Sequence, residues 1–104
     1  MEGKMKHIIL STDAERYVYL APDEVAKRLR EYCLEFIEWL YDDPAADQFR
    51  KLGSKGSLYY SYDHTDFVDW LNRYHFRDMT TSLVECIGVD RIPAQYKGCP
   101  KFNF

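Results

Sequence analysis

The stretch from Pro22 to about Asp42 constrains the fold more than any other part of the chain. Pro22 suits the first turn of a helix, where its missing N–H costs nothing. Asp23 and Glu24 follow at the positive end of the helix dipole. At about 100° per residue, Val25, Leu29, Tyr32, Cys33, Phe36 and Leu40 fall on one stripe. Trp39 lies on one edge of it, Ala26 and Ile37 on the other, and Leu34 and Tyr41 further round. This apolar arc is wider than one core contact needs. It predicts a single long central helix covered on two sides, one of them by a partner or by another part of the chain.

A helix of that kind needs something to pack on. Residues His7 to Ser11 and Arg16 to Leu20 are rich in β-branched and aromatic side chains, with polar Thr12-Asp13-Ala14-Glu15 between them. They predict an antiparallel hairpin, with Tyr17 and Tyr19 on one face and Val18 and Leu20 on the other. Asp43-Pro44 restarts a helix that ends near Leu52, followed by a loop over Gly53-Ser54-Lys55-Gly56-Ser57. Leu58 to Tyr62 reads as a third strand, most simply paired with the hairpin. Asp63 then caps a helix over roughly His64 to Phe76, with Phe67, Trp70, Leu71 and Tyr74 as its core stripe. Ser82-Leu83-Val84-Glu85 has capping-box spacing and predicts a short helix ending at Gly88, with a fourth strand as the competing reading. From Asp90 to Phe104 the chain reads as irregular, docked through Tyr96, Phe102 and Phe104.

The expected fold is therefore α+β: a small antiparallel sheet of about three strands packed against one long helix and two or three shorter ones. The 104 residues make a single domain, and 46% of them are hydrophobic, enough for one core. The net charge of −3 argues against broad binding to nucleic acid or anionic lipid, which relies on clustered Lys and Arg. Cys33, Cys86 and Cys99 are odd in number and widely spaced, with no CxxC pair. Reduced thiols in a cytoplasm are the expectation, with Cys33 and Cys86 buried. No apolar run approaches the ~20 residues of a membrane span. The basic opening, Met1 to Lys6, precedes only four apolar-leaning residues, too few for a signal-peptide core.

Four segments carry a resemblance: Val18-Tyr19-Leu20-Ala21-Pro22-Asp23, Tyr32-Cys33-Leu34-Glu35-Phe36, Asp66-Phe67 with Trp70-Leu71-Asn72-Arg73-Tyr74, and Pro100-Lys101-Phe102-Asn103-Phe104. Together they span most of the chain, which resembles a group of small bacterial proteins of unassigned function. The resemblance implies a bacterial, cytoplasmic protein, and it brings no catalytic residues with it.

The chemistry-bearing residues are few. Glu31, Glu35, Glu38 and Asp42 share the polar face of the long helix. Their like-charge pairs at three- and four-residue spacing cost about 0.2–0.5 kcal/mol each in an isolated helix. They form either an acidic stripe for a basic partner or a solvated face offset by Arg50, Lys51 or Arg73. His64, Asp66 and His75 lie on or beside one helix, but His64 and His75 are ~16 Å apart along it, so no metal site is expected. A cysteine nucleophile would need a nearby His, and no nucleotide, hydrolase or zinc-protease motif occurs. No cofactor is implied. The leading reading is a non-catalytic interaction domain that binds another protein or a second copy of itself, with Leu34, Tyr41, Glu31, Glu35 and Glu38 as its contact residues. The alternative is a small enzyme with His64 or His75 as acid/base in a pocket between sheet and helices.

Overall fold

The computed structural model describes residues 4–54, 56 and 58–104. Strands β1 (Met5–Thr12) and β2 (Glu15–Pro22) form the hairpin, paired from Met5↔Pro22 to Thr12↔Glu15. Asp13 and Ala14 turn the chain with φ of 54° and 70°. Positive φ at both central residues matches the turn to the right-handed twist of the strands. Ala14 has no local side-chain hydrogen bond to favour that geometry, so the turn carries some strain.

The helical stretch is broken. α1 (Asp23–Lys27) and α2 (Leu29–Asp42) meet at Arg28, whose φ/ψ of −127°/36° lies outside the helical region. No Gly or Pro marks the break. Ahead of it, where the chain leaves β2, the Asp23 N–H bonds the Lys4 carbonyl at 2.7 Å. The expected stripe survives the break, with Val25, Leu29, Cys33, Phe36 and Leu40 buried.

The next segment corrects the sequence expectation. Pro44–Phe49 is a 3₁₀ helix, capped by Asp43 accepting from the Ala45 N–H. Arg50–Leu52 (β3) then pairs with Leu58–Tyr60 (β4) in a separate two-stranded ribbon. The third strand does not join the hairpin because both hairpin edges are taken. β5 (Ser82–Gly88) pairs antiparallel with β2, and β6 (Lys101–Asn103) pairs parallel with β1. The main sheet thus has four strands in the order β5-β2-β1-β6 and is mixed rather than antiparallel. Ser82–Glu85 forms no helix. The open edge of β2 supplies backbone partners, and alternation aims Glu85 and Ile87 at the face where the Tyr96 hydroxyl donates to Glu85.

α3 (His64–Tyr74) begins at Asp63 as expected. The Asp63 side chain accepts from the Thr65 and Asp66 N–H groups, and Asp66 accepts in return from the Asp63 N–H at 2.9 Å. These bonds outweigh burial and hold the Asp63 carboxyl below its ordinary range. Phe67, Trp70 and Leu71 are buried, joined by His64 and Val68, whereas Tyr74 is 48% exposed.

Two cores result. On one face of the sheet, Ile8, Leu10, Tyr19 and Ala21 meet the helices around Phe36. Its ring has Trp39, Tyr62, Phe67, Trp70 and Phe104 within 6.3 Å between centroids. On the other face, Ile9 and Val18 pack under Tyr96, with Ile87, Ile92 and Cys99 beside them. The C-terminal segment therefore covers one face with Tyr96 and reaches the opposite core with Phe102 and Phe104. Cys33 is buried, and burial pushes its thiol far up. Cys86, expected in a buried helix, is exposed because it stands on the outer strand. Among the described residues no helix is long and apolar enough to cross a membrane.

Candidate functional site

α2 and α3 pack against each other, and a groove opens between them. Glu35, Glu38, Trp39 and Asp42 recur at three- and four-residue spacing, so they share one side of α2. Trp70, Arg73 and Tyr74 do the same on α3. The groove has two open lobes of about 560 and 500 Å³ that share a floor of Trp39, Trp70 and Tyr74. One lobe is walled by Glu35, Glu38, Asp42 and Asp43 with His75 and Pro44. The other is lined by Asp66, Asp69, Arg73, Gln48 and Phe49. Trp70 is almost wholly buried and forms the base, while Trp39 and Tyr74 are more open and lie 5.6 Å apart at 51°.

The carboxylates are poorly compensated. Glu35 meets the His75 Nε2 at 2.7 Å, and His75 itself rests edge-on against Trp70 and Tyr32. Among the described residues, Glu31, Glu38 and Asp42 have no ion-pair partner. The offsetting cations considered from the sequence do not reach them. Arg50 pairs with Asp47 and donates to the Tyr41 carbonyl at 3.2 Å, which caps the end of α2. In the second lobe, burial raises the Asp66 carboxyl, and the charges of Asp63 and Asp69 push it further up. Among the described residues no three His, Cys, Asp or Glu side chains converge as metal ligands. The acid is spread along the groove rather than focused on one point.

Of the contact residues expected from sequence, the structure brings only Glu35 and Glu38 into this groove. Glu31 is exposed one turn earlier. Leu34 and Tyr41 lie round α2 from the groove, 43% and 56% exposed. The ribbon half-covers Tyr41, whose ring sits 4.2 Å from Tyr60. The floor itself was missed: Trp70 and Tyr74 have the spacing of a core stripe, and only the exposure of Tyr74 separates them.

His64, one of the two candidate acid/base groups, is packed. It is 6% exposed, stacked 4.1 Å from Tyr17, and its Nδ1 lies 2.8 Å from the Thr12 Oγ1. That oxygen also accepts the His64 backbone N–H, so its hydroxyl is free to donate to Nδ1. Burial holds the imidazole pKa below its ordinary value, against the opposing pull of Asp63 and Asp66. No protein-family model, curated protein or solved structure matches the chain.

Proposed function

We propose that this chain is a non-catalytic interaction domain of the bacterial cytoplasm, and that it holds a basic segment of another protein in the groove between α2 and α3. One observation carries the reading: a wall of carboxylates, largely without counter-ions among the described residues, stands over an aromatic floor of which Trp39 and Tyr74 are partly open. Uncompensated like charge lowers stability unless a partner neutralises it. Aromatic rings half open to water supply contact area at low entropic cost. Clustered negative charge also speeds the approach of a basic partner, an effect that salt screens.

The test is titration with basic peptides, followed by tryptophan emission, since Trp39 and Trp70 both floor the groove. Binding that weakens steeply with salt and is lost in a Glu38→Gln/Asp42→Asn variant supports the reading. Binding unchanged in that variant overturns it.

The His75–Glu35 pair at 2.7 Å favours a second reading, a small enzyme with His75 as acid/base. With Nε2 engaged by Glu35, the other ring nitrogen, Nδ1, would have to exchange the proton with substrate. A His75→Gln variant that keeps peptide binding leaves the interaction reading standing without it.

A further inference from the structure

We infer that the cation taken by this groove is the guanidinium of an arginine side chain presented by the partner. The inference rests on the interaction reading above and names its ligand. Three kinds of organic cation compete for an acidic aromatic surface, and the geometry separates them.

A quaternary ammonium needs a cage, with rings on several sides to replace its solvation. Here Trp39 and Tyr74 touch each other at 5.6 Å, and Trp70 is buried beneath, so the rings form an open floor. A lysine ammonium is a compact, strongly hydrated charge that gains little from lying on such a floor in contact with water. A guanidinium is flat and weakly hydrated on its faces. It can stack on Trp39 or Tyr74 while its N–H edge points at the Glu38 and Asp42 carboxylates on the adjoining wall. The fold already uses this arrangement once. The Arg50 guanidinium lies 5.8 Å from the Tyr60 ring centroid, with the Asp47 carboxylate and the α2 carbonyls at its edge.

The experiment compares an arginine-rich, a lysine-rich and a trimethyl-lysine-rich peptide of equal length and charge, titrated calorimetrically into the full chain. Arginine should bind tighter than lysine by about five- to tenfold, the scale of one stacked cation on an aromatic ring. Tyr74→Leu and Trp39→Leu should each reduce that ratio toward one while lysine binding changes little. Trp39 packs on Phe36, so if its variant does not fold, the half-exposed Tyr74 carries the test. Glu38→Gln should weaken arginine and lysine peptides alike. Equal affinity for arginine and lysine overturns the inference and leaves the acidic groove as a plain charge trap. Tightest binding of trimethyl-lysine overturns it in favour of a cage. Binding of none of the three overturns both the inference and the interaction reading beneath it.

Discussion

Replacing Phe102 and Phe104 together by Ala tests whether the C-terminal strand is part of the fold. Both rings are half-buried against the main core. Phe104 lies 5.4 Å from Phe67, 6.3 Å from Phe36 and 6.4 Å from Tyr62, and Phe102 lies 4.9 Å from Phe104. Full burial of a Phe side chain contributes roughly 1.5–3 kcal/mol, so two half-buried rings contribute about 1.5–3 kcal/mol together. The aromatic pairs add about 0.5–1.5 kcal/mol where they are well covered. A loss near 3–4 kcal/mol is expected, which lowers the thermal midpoint by about 12–32 °C in a domain of this size. The two rings touch, so the double variant is measured directly rather than summed from singles. Circular dichroism melts give the midpoint. Hydrogen exchange at the Ile9 amide, bonded to the Pro100 carbonyl at 2.9 Å, reports whether β6 has loosened. A midpoint within about 4 °C of wild type would refute the reasoning, because a loss under ~1 kcal/mol means the rings lie on the core without being held there.

Three further outcomes follow from particular residues. His64 is held neutral by burial, so the unfolded chain binds its proton first. Its contribution is present above about pH 6.5 and is lost as pH falls below that toward the folded value, and a His64→Gln variant should show a flatter acid limb in pH-dependent melts. Ala14→Gly should raise stability by up to ~1 kcal/mol, since relief of the left-handed φ of 70° exceeds the entropic cost of glycine; a lower midpoint would show that the turn is unstrained. The chain should sediment as a monomer at micromolar concentration, because Tyr60 half-covers Tyr41 and Leu34 is itself more than half covered. A dimer that Leu34→Glu splits without unfolding the protomer would refute this.

Local signals were legible wherever a residue acts on its own neighbours. The Asp63 cap, the hairpin and the buried stripe of α2 all follow from side-chain periodicity and capping chemistry in short windows. What escaped was set by distant backbone. β6 is three residues long after Pro100, too short for any period, and exists because β1 offers it an edge. Ser82–Glu85 carries the spacing of a helix start, yet the free edge of β2 makes it a strand. The long helix breaks at Arg28 with no Gly or Pro to mark it. The groove divides the same way. Its acidic wall was legible as a helix face, but its aromatic floor comes from α3, and no spacing on either helix alone announces that Trp39 and Tyr74 will meet.

The end of α2 is where folding and binding requirements part. A helix selected for stability places Lys or Arg in its last turn, where the dipole is negative. α2 has none there and carries Glu38, Asp42 and Asp43 instead. The nearby Arg50 caps the carbonyls and leaves the carboxylates as they are. Asp42→Lys should therefore stabilise the protein. It removes a like-charge pair with Glu38, creates a favourable Glu38–Lys pair at four-residue spacing and complements the dipole, together about 1 kcal/mol. The midpoint should rise by about 4–8 °C, while affinity for a basic peptide falls as the wall loses one carboxylate and gains a cation. A gain in stability coupled to a loss of binding is the mark of residues kept for contact rather than for the fold. If Asp42→Lys instead lowers the midpoint, the carboxylate is structural, and the case for a binding groove loses the observation that carries it.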